Sequence, residues 1–124
     1  VSEGNKSTMA IGMIESPAAV ERLDELLSPG VLDAVMIGAN DLSTTMGIPA
    51  QWENSKFQEA LDSIIASCKK ADVASGIGGV FVTELLNKWI KQGMTFMYVL
   101  SDAFSLIQYP KARLAEIQEV VEGA

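Results

Sequence analysis

Four short apolar segments, each followed by a segment with helical periodicity, constrain the fold of this chain more than any other feature. The apolar segments lie near residues 8–15, 31–38, 73–79 and 95–101. They are nearly continuous rather than alternating, which is typical of strands covered on both faces. Because buried strands that alternate with amphipathic helices pair in parallel, the pattern predicts an α/β fold of four consecutive βα units.

Apolar residues recur at helical spacing in each connecting segment. Ser16 is expected as the N-cap of the first helix and Pro17 as its first residue, and Pro110 is expected to begin the last helix. The stretch Leu42 to Ser55 is expected to be a loop. The predicted buried helix residues are Val20, Leu23, Leu26, Leu27, Phe57, Leu61, Ile64, Ile65, Cys68, Leu85, Leu86, Trp89, Ile90, Leu114, Ile117 and Val121. The methionines in or beside strands, expected to fill the core, are Met9, Met13, Met36, Met94 and Met97.

Two architectures fit this succession of elements. One is a small open, doubly wound sheet, and the other is part of a (βα)8 TIM barrel, which typically needs about 250 residues. The length of 124 residues, taken alone, favours the open sheet. No linker, internal repeat or low-complexity segment divides the chain, so we expect one domain over residues 1–124.

The charge balance argues against two classes of partner. Nine Lys and Arg residues against 16 Asp and Glu residues give a net charge of −7, which disfavours binding to nucleic acid or to an anionic membrane. No apolar run approaches the roughly 20 residues of a membrane span. The polar opening VSEGNKSTMA does not have the pattern of a signal peptide, so we expect a cytoplasmic protein.

The chain has a single cysteine and no histidine. Cys68 lies at core spacing in the second predicted helix and is expected to pack there rather than to react. Without histidine or a cysteine cluster, a bound metal would have oxygen ligands, which favours Mg²⁺ or Mn²⁺.

Acidic residues are predicted at the ends of three of the four strands: Glu15, Asp41 and Asp102. In both architectures the functional site lies at this C-terminal edge of the sheet. Carboxylates from neighbouring strand ends repel each other unless a cation lies between them. Alternatively, each acid caps the backbone amides that follow it. The residues alone leave both interpretations open for Glu15 and Asp41, and favour a structural role for Asp102.

The stretch IGMIESPAAVERLDELLSPGVLDAVMIGANDLSTTMG resembles the central part of the HpcH/HpaI aldolases, a family of pyruvate-dependent class II aldolases. In that family an apolar strand ending in V-E-[ST] is followed by a helix and then by G-[IV]-D-[GA]-[VI]-F-[IV]-G-P-x-D-L-[SA]. The similarity continues through GIPAQWENSKFQEALDSII, VASGIGG and KQGMTFMYVLSDAFSL, and so covers nearly the whole chain.

The resemblance implies the second half of a (βα)8 barrel and a divalent-metal-dependent carbon–carbon lyase that acts on pyruvate or a similar 2-keto acid. It implies that Glu15 and Asp41 bind the cation, Mg²⁺ or Mn²⁺. The cation would act as a Lewis acid on the charge that develops beside the carbonyl group. The residues implied to receive the substrate carboxylate are Gly38, Ala39, Asn40 and Asp41.

Several features depart from the family pattern. The first-half arginine that holds pyruvate and the histidine that serves in proton transfer have no counterpart here, so we assign no catalytic residue within this chain. Met13 stands where the family often has glutamine, Ala39-Asn40 replaces proline and a small residue, and Leu100 replaces a frequent glycine. Two alternatives therefore stay open: a non-catalytic α/β half-barrel module that self-associates, and a citrate-lyase-like lyase of acyl thioesters.

Half a barrel has two unpaired outer strands and an uncovered inner face. We therefore expect either that an N-terminal half of a longer protein completes the barrel, or that the chain forms a homo-oligomer.

Overall fold

The computed structural model describes residue 4 and residues 6–122, and its strands form one parallel sheet in the order β1-β2-β3-β4. The strands are β1 (Ile11–Ile14), β2 (Ala34–Gly38), β3 (Ala74–Gly78) and β4 (Phe96–Met97). The helices are α1 (Pro17–Glu21), α2 (Leu23–Leu27), α3 (Ala39–Thr45), α4 (Ser55–Lys70), α5 (Thr83–Gln92) and α6 (Asp102–Glu122). This arrangement confirms the predicted α/β fold of four consecutive βα units.

The strand order decides between the two architectures. Each strand pairs with its neighbour in sequence, whereas a doubly wound sheet reverses its strand order at a switch point. The open doubly wound sheet that chain length favoured is therefore wrong. A sheet that continues in one direction is what part of a (βα)8 barrel requires.

The two faces of the sheet differ in burial. Ile14, Ile37 and Ile77 lie on one face, are each at most 3% exposed and pack against the helices. The helices contribute Leu23, Leu27, Phe57, Leu61, Ile64, Cys68, Leu85 and Trp89 to this core. On the other face, Ile11 is 42% exposed and Met13 is 58% exposed. We call this second side of the sheet the open face.

The open face corrects the prediction that the strand methionines fill the core. Met94 is buried, but Met9 is 59% exposed, and Met13 points to the open face. Leu26 and Ile90 were also predicted to be buried, and both are more than 40% exposed because they lie at the edges of their helical faces. Periodicity identifies an apolar face but does not show whether another element of the same chain covers it.

Three predicted helix boundaries are wrong. The first connection breaks at Arg22 into two short helices, although Ser16 accepts a hydrogen bond from the Ala19 amide as the predicted N-cap. Helix α3 includes Leu42 to Thr45, which were predicted to belong to a loop. Its residues are weak helix formers, but its buried residues anchor it to the core. Helix α6 begins at Asp102, and Pro110 lies inside it.

The early start of α6 has a local cause. The Ser101 hydroxyl accepts a hydrogen bond from the Phe104 amide at 3.0 Å, and the Asp102 carboxylate accepts one from the Ala103 amide at 2.7 Å. These two side chains satisfy backbone donors at the start of the helix. No residue of α6 within the described chain is buried, so its predicted core residues Leu114, Ile117 and Val121 are exposed. Within residues 6–122, no helix has the length and apolar composition of a membrane span.

Candidate functional site

A groove with a volume of about 350 Å³ lies where the strands end and α3 begins. Met13, Met36 and Tyr98 line it from the open face, and Gly78 forms part of its floor. The first turn of α3 lines the opposite side with Ala39, Asn40 and Asp41. The groove therefore lies at the C-terminal edge of the parallel sheet, where the functional sites of such sheets are found.

Glu15 reaches this edge because of the strand register. Ile14 pairs with Ile37, so the next residue, Glu15, lies level with Gly38. A Cβ atom on Gly38 would lie 2.8 Å from both Cγ and Oε1 of Glu15. The Glu15 side chain thus lies across Gly38, and only glycine leaves room for it there.

Asp41 is the third residue of α3 and is exposed. The prediction placed it at a strand end, and the structure places it three residues after β2, in the first turn of the helix that follows directly. Among the described residues, neither the Glu15 carboxylate nor the Asp41 carboxylate accepts a hydrogen bond or forms an ion pair. Neither side chain therefore accepts a capping hydrogen bond in the described chain, and the carboxylate oxygens of both acids are available to a ligand.

Hydrogen bonds tie α3 to the ends of the two strands beside β2. The Thr45 hydroxyl lies 2.9 Å from the carbonyl oxygen of Glu15, at the end of β1. The side-chain amide of Asn40 donates to the carbonyl oxygen of Gly79, just after β3, at 3.4 Å. Thr45 was not predicted as a site residue, because it lay in a predicted loop and its bond to Glu15 joins residues 30 positions apart.

Asp102 is not part of the groove. It was predicted to close the fourth strand, but β4 ends at Met97 and Asp102 begins α6. The error arises because β4 is only two residues long, with Tyr98 continuing its pairing by one hydrogen bond to Ile77. The Asp102 carboxylate bonds the Ala103 amide, as expected of an acid at a helix start.

The donor set at the groove suits a hard divalent cation. Glu15 and Asp41 offer carboxylate oxygens. Mg²⁺ in proteins is usually coordinated by one or two carboxylates, with water or substrate at its other positions. Within the described part of the chain, no set of three or more His, Cys, Asp or Glu residues is arranged to hold a metal. Gly38 leaves a defined space for the Glu15 carboxylate, as expected if Glu15 is a metal ligand.

The described residues that line the groove include no lysine or arginine. The basic residues in the described ion pairs, Arg22, Lys70 and Arg113, lie outside it and pair with neighbouring acids. The hydrogen bond from Lys70, for example, lowers the pKa of the Asp24 carboxyl group, and Asp24 also lies outside the groove. Asp41 thus lines the groove and Glu15 lies against its lining residue Gly38, and neither acid forms an ion pair with a basic residue in the described part of the chain.

Comparisons with known proteins agree with the fold and the motif. Residues 2–109 match the family model described as HpcH/HpaI aldolase/citrate lyase. The chain is 28% identical over 120 residues to a 2-keto-3-deoxy-L-rhamnonate aldolase of Salmonella dublin, covering 97% of this chain and 45% of that protein. It is 27% identical over 94 residues to a 4-hydroxy-4-methyl-2-oxoglutarate aldolase of Chaetomium globosum, covering 76% of this chain and 35% of that protein.

Solved structures show the same fold. The HpcH/HpaI aldolase from Desulfitobacterium hafniense DCB-2 superposes with a TM-score of 0.85 at 25% identity, covering 95% of this chain and 46% of that one. Macrophomate synthase, at 21% identity, shares the fold with a TM-score of 0.83, covering 99% of this chain and 42% of that one. These neighbours are TIM-barrel-like, and the chain spans about half of their length or less. It follows from the family match that this chain belongs to the HpcH/HpaI aldolase/citrate lyase family.

Proposed function

We propose that this chain supplies the metal-binding half of an aldolase, a divalent-metal-dependent carbon–carbon lyase for pyruvate-like 2-keto acids. Glu15 and Asp41 hold the cation, Mg²⁺ or Mn²⁺, at the strand ends. The observation that carries this proposal is the Glu15 side chain lying across Gly38, at the sheet edge where the next helix begins with Asp41 in its first turn. The relatives named above are aldolases of keto acids, which agrees with this substrate class.

The residues around the cation have separate tasks in this proposal. The cation, when bound, supplies Lewis-acid stabilisation of the negative charge that develops beside the keto group. The backbone amides from Gly38 through Ala39 and Asn40 to Asp41 receive the substrate carboxylate, because the first amides of a helix have no partner within it. Met13 and Met36 give the groove an apolar wall that limits access of water.

The chain does not supply every group that an aldolase needs. Among the described residues, none that lines the groove is basic and could hold the substrate carboxylate, and the chain has no histidine for proton transfer. We propose that these groups come from further βα units that cover the open face, contributed by an N-terminal half or by a second copy. The described half alone then binds cation and substrate but turns over slowly.

A Mn²⁺ titration tests the metal site. Glu15→Gln and Asp41→Asn each keep the side-chain shape and remove the charge, and each is expected to weaken Mn²⁺ binding at least about tenfold. Glu21→Gln removes an exposed acid of α1 and should bind like wild type. If the cation helps to bind pyruvate, then pyruvate should tighten Mn²⁺ binding by the same factor, because coupling between two ligands is reciprocal. If wild type binds no tighter than Glu15→Gln and Asp41→Asn, the proposed metal site is wrong.

Proton exchange separates an aldolase half from a non-catalytic module. The missing basic groups favour the module, so it is the second candidate. In D₂O with Mg²⁺, an aldolase half should exchange the methyl protons of pyruvate faster than Glu15→Gln does, as measured by proton NMR. A chain that binds Mn²⁺ and pyruvate but exchanges no faster than Glu15→Gln is a module without lyase chemistry.

A further inference from the structure

We infer that Thr45 is a positioning residue that fixes the separation between the two carboxylates of the candidate metal site. This inference rests on the proposed function, because it concerns how Glu15 and Asp41 are held relative to each other. Thr45 itself lines no part of the groove. It acts through the backbones of the two acidic residues.

The Thr45 hydroxyl has three carbonyl oxygens within hydrogen-bond distance. Two belong to its own helix: those of Leu42 at 2.9 Å and Asp41 at 3.0 Å. A helical threonine commonly reaches the carbonyls three and four residues before it. The third oxygen, that of Glu15 at 2.9 Å, belongs to the end of β1. The local acceptors therefore explain the rotamer, whereas the Glu15 contact joins two separate elements.

The single hydroxyl proton is donated to one oxygen at a time, so the three acceptors compete for it. When the carbonyl oxygen of Glu15 accepts the hydrogen bond from Thr45, this bond joins the end of β1 directly to the last turn of α3. Asp41 lies four residues before Thr45, one helical turn away on the same side. The position of the Glu15 backbone determines where its side chain starts across Gly38. One side chain thus connects the backbones that carry both candidate ligands.

The opposite end of α3 shows why this connection matters. Asn40 already joins the first turn of α3 to Gly79 at the end of β3. Without the Thr45 contact, α3 would have a side-chain hydrogen bond to one neighbouring strand end and none to the other. A metal that needs both carboxylates would then bind to a pair whose separation varies, and affinity would fall.

The test compares hydroxyl-bearing and hydroxyl-free side chains at position 45. Thr45→Ala and Thr45→Val remove the hydroxyl, and both are expected to weaken Mn²⁺ binding about tenfold, measured by the electron paramagnetic resonance signal of free Mn²⁺. Thr45→Ser restores the hydroxyl and should bind within about threefold of wild type. Thr44→Val changes the neighbouring exposed threonine and should bind like wild type. The Tm of each variant without metal is measured in parallel.

The outcomes separate this inference from the proposed function. If wild type binds Mn²⁺ and Thr45→Ala binds it equally well, the positioning role is wrong and the metal site stands. If Thr45→Ser binds as weakly as Thr45→Ala, the hydroxyl is not the cause and the inference is also overturned. If wild type itself binds no Mn²⁺, the proposed metal site fails. Thr45→Ala keeps the comparison with serine usable even if valine unfolds the protein, because alanine favours a helix.

Discussion

At the scale of single residues, Gly38 leaves the space in which the Glu15 side chain lies beside the groove. Gly38→Ala would place a methyl group 2.8 Å from Cγ and Oε1 of Glu15, closer than real contacts allow. The Glu15 side chain must then turn away, and we expect Mn²⁺ affinity to fall at least about tenfold with the fold retained. Isothermal titration with Mn²⁺ and circular dichroism measure the two effects.

Gly78→Ala is the matched control for that substitution. Gly78 pairs with Gly38 in the sheet, but its added methyl group would meet Tyr98 and Met36 only at 3.4 and 3.5 Å, which is ordinary contact. Its Mn²⁺ affinity should stay near that of wild type. Equal losses in both variants would show that any added methyl group disturbs the groove, contrary to a specific contact between Gly38 and Glu15.

Cys68 gives a pH dependence of stability. Burial raises the pKa of its thiol from 9.0 to about 11. Between those values the unfolded thiol has lost its proton while the folded thiol keeps it, so stability is full below pH 9 and falls as pH rises toward 11. The slope from this group is at most about 1.4 kcal/mol per pH unit. Urea unfolding of wild type between pH 8 and pH 11 should show this loss.

The Cys68→Ala variant isolates that contribution. It should be less stable than wild type at pH 8, because it leaves a cavity in the core, yet its stability should fall less steeply with pH. The two proteins differ in one ionisable group only, so the difference between the two slopes reports the thiol. Identical slopes would mean that the thiol is not buried as described.

The sequence predicted where Glu15 and Asp41 lie only in part, and their binding of a cation stays a prediction. Glu15 and Asp41 are predictable because parallel strands bring their carboxyl ends to one edge, so an acid just after each strand has a foreseeable place. The contact of Glu15 with Gly38 and the hydrogen bond from Thr45 are not predictable in this way. Both depend on the register between β1 and β2 and on the packing of α3, neither of which has a local sequence signal.

At the scale of elements, the edge strand β4 depends on Gly76. Gly76 pairs with Phe96, and a Cβ atom added to it would overlap the Phe96 carbonyl oxygen. The Phe96 backbone cannot move aside as the end of a flexible side chain can, so Gly76→Ala should separate β4 from β3. We expect the free energy of unfolding to fall by about 1–3 kcal/mol or more, measured with urea.

Gly12→Ala tests whether the position or the residue type matters. Its added methyl group would lie 3.0 Å from the Leu32 side chain, whose end can move. The stability change should be less than about 1 kcal/mol, since alanine also reduces the freedom of the unfolded chain. A Gly76→Ala variant as stable as Gly12→Ala would contradict the close approach of β3 and β4.

The elements that sequence patterns predicted share one property: their apolar residues pack against one another within the described chain. The buried stripe of α4, from Phe57 to Cys68, has this property and was predicted residue by residue. In helix α6 the predicted stripe of Leu114, Ile117 and Val121 is at least 50% exposed, so its pattern did not lead to burial within the described residues. Helix α3 has too short a stripe for periodicity to register, although its Leu42 is fully buried.

At the scale of the whole molecule, the apolar open face and helix α6 favour association. Leu106 and Val120 of α6 are 76% and 72% exposed, and Met13 on the open face is 58% exposed. Exposed apolar area of this kind is typical of a surface that binds another protein surface. We expect sedimentation at micromolar concentration to show self-association, reduced in the variant Leu106→Glu/Val120→Glu. A compact monomer that binds no hydrophobic dye would contradict this expectation.

One double-variant measurement tests whether Glu15 and Asp41 share a single cation. Mn²⁺ stoichiometry and affinity are measured for wild type, Glu15→Gln, Asp41→Asn and the double variant. We predict one Mn²⁺ per wild-type chain, and a loss in the double variant smaller than the sum of the two single losses, because ligands of one ion are coupled. Two independent Mn²⁺ ions per chain, or losses that simply add, would show that the two carboxylates do not form one site.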